Sequence, residues 1–183
     1  MNIGLLVLST LAIIIAIPLI VAIFLKKDYS IVREIIINKP KQEVFDYIKY
    51  LKNQNEWSKW ARTDPNMKTT CSGTDGTVGF IYGWESDYKS VGKGTQEIKK
   101  IIDWELIDWE FLFAGKPPTQ CYWITETVSE NVTRMKWGFT GRMNYPMNLM
   151  ILFFEKLIGD DMLDIELANL KTKMEYQTDT EKQ

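Results

Sequence analysis

YGWESDYKSVGKGTQEI (residues 82–98) decides how the middle of this chain folds, because two glycines around a lysine invite comparison with a phosphate-binding loop. The comparison fails on chemistry. A G-x-x-x-x-G-K-[ST] loop needs glycine where Asp87 stands and a hydroxyl side chain where Gly94 follows Lys93. The residues beyond it, TQEIKKII, read as a strand, so there is no helix N-terminus to receive a phosphate. The segment is a hairpin between TVGFIYGWES and TQEIKKII, with Gly92 and Gly94 expected at its bend and bulge, where glycine adopts positive φ at little cost.

Working outward, the hairpin belongs to a meander of short strands separated by turn residues: MKTTC, TVGFIYGWES, GTQEIKKIID, WELIDWEFLF, QCYWITETV and TRMKWGFTG. Alternation assigns their faces. Phe80, Tyr82 and Trp84 share one side of a strand, as do Ile107, Trp109, Phe111 and Phe113 on another and Met135, Trp137 and Phe139 on the last. These sides face inward, and Asp108, Glu110, Arg134 and Lys136 face out. Upstream, YSIVREIIIN (residues 29–38) is rich in β-branched residues and reads as a first strand. Pro40 then opens a helix carrying Val44, Phe45, Ile48 and Leu51 at helical spacing. NEWSKWARTDP predicts a short second helix with Trp57 and Trp60 on one side. From Tyr145 onward, Met147, Met150, Ile151, Phe154, Leu157, Ile158, Leu163, Leu167, Leu170 and Met174 return at helical spacing, with a break or bend expected at Gly159.

Before the first strand lies IGLLVLSTLAIIIAIPLIVAIFL (residues 3–25), whose only polar members are Ser9 and Thr10. As a helix it would be roughly 35 Å long, enough to cross a hydrocarbon core of about 30 Å. It lacks the basic n-region and small-residue cleavage site of a secretory signal. Lys26 and Lys27 follow directly, which by the positive-inside tendency places the rest of the chain in the cytoplasm of a single-pass plasma (inner) membrane protein. The expected division is a transmembrane anchor over residues 1–27, one folded domain over 28–177 and a polar tail over 178–183.

Composition narrows the function. The chain has 183 residues, enough for one well-filled domain, and a formal charge of −2, without the basic surface that nucleic acid requires. No histidine is present, which removes Ser-His-Asp and Cys-His catalysis and the usual zinc-hydrolase ligand sets. Cys71 and Cys121 stand far apart without CxxC spacing and read as small strand or core residues. No metal or cofactor motif is found. Asn131-Val132-Thr133 fits an N-glycosylation acceptor only for a domain outside the cell, and carries no weight in the expected orientation.

Four segments, IIINKPKQEVFDYI, YGWESDYKSVGKGTQEI, TRMKWGFTG and ELANLK, together with the element order, resemble the START-like superfamily often called SRPBCC, in its polyketide cyclase/dehydrase-type branch. The resemblance covers nearly all of residues 29–176. It implies an α+β helix-grip fold, here preceded by one transmembrane helix, in which a curved antiparallel sheet wraps a long C-terminal helix around a cavity for hydrophobic small molecules, lipids or polyketide-like rings. The inward aromatics Phe80, Tyr82, Trp84, Trp109, Phe111, Trp123, Trp137 and Phe139 are the candidates to line such a cavity, or else to fill the core. Met143, Met150, Phe154 and Leu157 would close it, and Arg142 would meet an anionic head group at its mouth. Tyr82, Glu85, Asp87, Glu126, Arg142 and Tyr145 are the candidates for acid or base chemistry if the domain is a cyclase or dehydrase. A tethered protein-interaction module is the third reading, and the expected function is a membrane-anchored binding domain for an apolar or amphipathic molecule.

Overall fold

A computed structural model describes residues 3–115 and 117–176; the expected tail over 178–183 lies outside the described residues. Helix α1 (Ile3–Phe24) stands apart from the rest, exposed along nearly its whole length, and only Ala22 is buried. Among the described residues it is the one helix long and apolar enough to cross a membrane. Strand β1 (Asp28–Ile37) follows, then α2 (Lys41–Ile48), a 3₁₀ turn (Leu51–Asn53), and the short helices α3 (Gln54–Trp57) and α4 (Lys59–Thr63). Strands β2 (Lys68–Ser72), β3 (Ile81–Glu85), β4 (Lys93–Ile102), β5 (Leu106–Phe113), β6 (Thr119–Ser129) and β7 (Val132–Arg142) form the meander. β1 closes against β7, giving a seven-stranded antiparallel sheet in the order β1-β7-β6-β5-β4-β3-β2.

The expected strands and their faces hold, because period-two alternation leaves each strand one way to bury its apolar set. Along β7, Met135, Trp137 and Phe139 are buried, while Arg134 and Lys136 turn outward to pair with Glu126 at 3.5 and 2.5 Å. Cys121 is buried on β6 and Cys71 is exposed on β2. Pairing also orients the sheet. Asp28 sits opposite Arg142 at the end nearest α1, and Ile37 sits opposite Thr133 at the far end. The far end is solidly packed by Ile37, Val44, Phe45, Ile48, Ile107 and Met135.

The hairpin of residues 82–98 differs from expectation in one glycine. Gly92 occupies the turn with φ of 65°, and its carbonyl accepts the Ser86 N–H at 3.0 Å. Gly94 lies inside β4, paired with Trp84, and the strand's irregularity falls later, between Ile98 and Lys100. Its role is close approach. A Cβ there would sit 2.6 Å from Trp84 Cζ2 and 2.8 Å from the Leu112 carbonyl oxygen, so the missing side chain lets the Trp84 indole lie across the strand.

Two expected helices also change. Ser58 takes extended backbone (ψ 128°) and splits the second helix into α3 and α4, so Trp57 enters the core at 1% exposure while Trp60 stays 42% exposed. They do not share a side. The C-terminal helix is assembled from a 3₁₀ turn (Met147–Met150), α5 (Ile151–Phe154), a π-helical stretch (Glu155–Leu163) and α6 (Asp164–Tyr176). The wide π turns surround Gly159, where a Cβ would collide with the Arg33 guanidinium from the inner face of β1. Arg33 also lies 3.6 Å from Asp164. From there Leu163, Leu167, Leu170 and Met174 pack into the sheet.

The C-terminal end of α1 is held by a single side chain. Asn148, fully buried in the 3₁₀ turn, donates from Nδ2 to the carbonyl oxygens of Ala22 at 2.6 Å and Leu25 at 3.2 Å. These carbonyls lack helical partners, as the last four of any helix do. One residue past β7, the Met143 N–H donates to the Lys27 carbonyl at 2.8 Å.

Gly94→Ala is expected to destabilise the domain by about 1–3 kcal/mol, the usual cost of overpacking a filled site. Denaturant unfolding followed by tryptophan fluorescence checks this, and a variant within about 0.5 kcal/mol of wild type, the ordinary surface range, would show that Trp84 does not rest on Gly94.

Candidate ligand cavity

Side chains on the concave face of the sheet change role with distance from the far end. On β5, Ile107 and Trp109 are fully buried, whereas Phe111 and Phe113, one and two pleats nearer α1, are half-buried and line an open space. Just before β3, Phe80 is buried in the core, and on the strand Tyr82 and Trp84 line the same space. On β7, Met135 is enclosed, and Trp137 and Phe139 form wall. The result is a cavity of about 830 Å³ at the α1 end of the sheet, within the usual range for a small-molecule site.

Its opposite wall comes from helices and connections. Trp60 and Ala61 of α4 contribute, as do Met147 and Met150 of the 3₁₀ turn, Phe154 of α5, and Ile158 and Met162 of the π-helical stretch. Methionines at five positions (Met67, Met143, Met147, Met150 and Met162) give the cavity soft, unbranched surfaces that fit varied shapes. Of the residues singled out by sequence, Tyr82, Trp84, Phe111, Trp137, Phe139, Arg142, Met143, Tyr145, Met150 and Phe154 line the cavity. Phe80, Trp109 and Trp123 do not. They lie in the packed core, where Trp57, Trp109, Trp123 and Trp137 form one cluster with ring centroids 5.2–6.4 Å apart. The side chain of Leu157 lies outside the described residues.

Polar groups on the wall are few, and among the described residues the buried Trp137 Nε1–H stands without a hydrogen-bond partner. The Tyr82 hydroxyl donates to Asn55 Oδ1 at 2.9 Å, and the Gln54 amide reaches Gln96 Oε1 at 3.5 Å. Burial raises the pKa of the Tyr82 and Tyr29 hydroxyls, so both stay neutral donors near pH 7. Arg142 stands at the rim, its guanidinium 3.1 Å from Asp28, and both side chains are mostly in solvent. Such a pair contributes at most about 1 kcal/mol, a weak competitor for an anionic group. Tyr145 is half-exposed at the same rim.

The other acid–base candidates are elsewhere. Glu126 is held on the outer face by Lys136 and Arg134, which lower its pKa, and Glu85 is exposed and paired with Lys93 at 2.9 Å. Asp87 lines a separate shallow cleft beside Glu85.

Sequence reasoning passed over Glu166, the one carboxylate on the cavity wall among the described residues. It is 1% exposed and accepts the Lys59 N–H on both oxygens, at 2.9 and 3.2 Å, with further hydrogen bonds from the Trp60 N–H and the Ser58 hydroxyl. Glu166 thus caps the start of α4 from α6. Its position was legible: three residues after Leu163 and four before Leu170, it falls on the apolar stripe of the helix. Burial raises its pKa, and the hydrogen bonds and nearby Arg62 offset this only in part.

No family model matches the chain, and neither does any curated protein. Solved structures do match. Norcoclaurine synthase from Thalictrum flavum, in complex with dopamine and hydroxybenzaldehyde, is similar with a TM-score of 0.62 at 11% identity, covering 85% of this chain and 88% of that one. The Aha1 dimer from Colwellia psychrerythraea gives a TM-score of 0.55 at 17% identity over 81% of this chain and 97% of that one. A Thermobifida fusca protein gives 0.60 at 12% identity over 80% and 95%. At these identities the likeness defines the fold. The domain has a helix-grip fold, an antiparallel sheet curved around a C-terminal helix.

Because the folded pKa of Glu166 is raised, the native state holds a proton that the unfolded chain releases above its ordinary value near 4.5. The contribution of this group to stability therefore falls as pH rises through that window. Stability of Glu166→Gln minus that of wild type should become more positive as pH rises above the ordinary carboxyl value near 4.5, and level off once the folded-state carboxyl has ionised. Urea unfolding at stepped pH reads the difference, and a flat or declining one contradicts the assignment.

Proposed function

We propose that this chain is a membrane-anchored binding domain that holds one apolar or amphipathic molecule in the cavity between its sheet and C-terminal helix. The observation that carries this reading is the cavity itself. Its walls are mostly aromatic rings and methionines, with paired amides and hydroxyls deep inside and, among the described residues, one cation, Arg142, at the rim. A lipid or a polyketide-like ring with a polar end fits that distribution, since apolar area supplies the affinity and the polar groups fix orientation. The resemblance to the polyketide cyclase/dehydrase-type branch supports the same class of ligand. Helix α1 supports anchoring, being 22 residues long and exposed along nearly its whole length, and Lys26 and Lys27 after it favour a cytoplasmic domain.

A cyclase or dehydrase role has Tyr82 and Glu166 on the wall, and Arg142 and Tyr145 at the rim, as candidate groups. Glu166 is already committed. Both its oxygens accept backbone hydrogen bonds that hold α4, which favours a structural carboxylate over a proton-transfer group.

Trp60, Trp84 and Trp137 line the cavity, so an apolar ligand should change intrinsic fluorescence saturably. Titrating the detergent-solubilised full chain with a fatty acid and with a fused-ring aromatic tests this. Ala61→Trp, which puts an indole into the cavity from α4, should weaken binding at least tenfold while the circular dichroism spectrum is unchanged. No saturable response to either probe class, or equal affinity in the variant, would count against a cavity ligand.

A further inference from the structure

From residue 143 to residue 154 the chain reads MNYPMNLMILFF, with no charged side chain between Arg142 and Glu155 in a protein that is 25% charged. Buried core would explain such a run. This one is not buried: Met147 is 61% exposed, Leu152 57% and Phe153 63%. It forms the 3₁₀ turn and α5, and its inner side (Met147, Met150 and Phe154) is cavity wall, while Leu152 and Phe153 point away from the cavity.

What covers the outer side follows from where the run is fixed. Asn148 donates to the carbonyls of Ala22 and Leu25, and Met143 donates to that of Lys27. Ala22 is two residues from the end of α1, about 3 Å along a helix axis, so the run sits level with the last turn of the apolar helix. Lys26 and Lys27, both exposed, mark the same level with the ammonium groups that lie at the edge of a bilayer. An uncharged run with exposed Met, Leu and Phe, tied by three hydrogen bonds to the end of a membrane-spanning helix, lies at the depth where lipid begins.

We infer that residues 145–154 insert into the lipid interface, so that the cavity mouth opens onto the bilayer and the ligand passes between lipid and cavity without crossing water. This rests on the reading of α1 as a span. The Asn148 amide makes the placement rigid, because it binds the anchor's terminal carbonyls and the cavity rim at once. Arg142, at the end of β7 just before the run, stands where an anionic head group would pass.

The experiment uses the full chain in phosphatidylcholine nanodiscs, with Cys71→Ser removing the exposed thiol. Phe153→Cys and, at an exposed loop remote from α1, Val78→Cys each carry an environment-sensitive fluorophore. The label at 153 should be quenched several-fold more by doxyl-labelled lipid than the label at 78, with aqueous iodide giving the reverse order. Equal iodide quenching at both sites, in a chain that resists alkaline extraction, overturns interfacial insertion alone. A chain that leaves the membrane on alkaline extraction overturns the anchor and the insertion together. For the mouth, Leu152→Glu with Phe153→Glu should slow transfer of pyrenedecanoic acid from vesicles to the chain at least tenfold, with unchanged affinity for the same probe in detergent. Unchanged transfer contradicts a lipid-facing mouth, and absence of binding in detergent by the wild type contradicts the cavity reading instead.

Discussion

A sheet of seven strands curled around one helix encloses more volume than that helix can fill, and where the surplus goes determines everything else in this domain. At the far end it is taken up by aliphatic side chains and α2. In the middle, four tryptophans pack in tilted and edge-to-face contacts, with Trp57 arriving from α3 rather than from the sheet. Buried aromatic rings of this size stabilise by area and are stiff, so they make a plug that does not collapse. Beyond them nothing fills the sheet. The remaining space is the cavity, bounded on its inner side by Trp137, which belongs to plug and wall alike.

The outer boundary depends on two polar side chains placed among apolar ones. Glu166 reaches from α6 to the exposed N–H groups of α4 and so fixes Trp60 and Ala61 against the cavity. Asn148 reaches from the 3₁₀ turn to the unpaired carbonyls of α1. A buried amide or carboxylate is costly unless its hydrogen bonds are made; Glu166 and the Asn148 Nδ2 group make theirs to backbone groups that helix ends leave unsatisfied, while Asn148 Oδ1 has no partner among the described residues. α4 and the end of α1 are therefore held by directional contacts. Among the described residues, Arg142 and Glu166 are the charged groups on the cavity wall.

Much of this was legible in the sequence. Period-two alternation gave every strand of the meander and its inward face, because a one-residue slip would expose the whole aromatic set. The hairpin of residues 82–98 was legible for the same reason, although the register that puts Gly94 under Trp84 was not, since it depends on a neighbour distant in sequence. Alternation could not separate Phe80, Trp109 and Trp123, which fill the core, from Phe111, Trp137 and Phe139, which face the cavity. The two sets share a face and differ only in distance along the strand from the plug. The parting of Trp57 from Trp60 turned on the extended backbone of Ser58, which helical spacing does not reveal. Asn148 carried no local signal at all, for its partners lie at the end of a helix more than a hundred residues earlier.

Native mass spectrometry of the full chain, released gently from the membranes in which it was made, puts the central claim to its most direct test. The account predicts a species heavier than the 21.4 kDa chain by the mass of one apolar molecule, retained by wild type and absent when Ala61→Trp occupies the cavity. The bare chain alone, from both proteins and under conditions that preserve the fold, would contradict it.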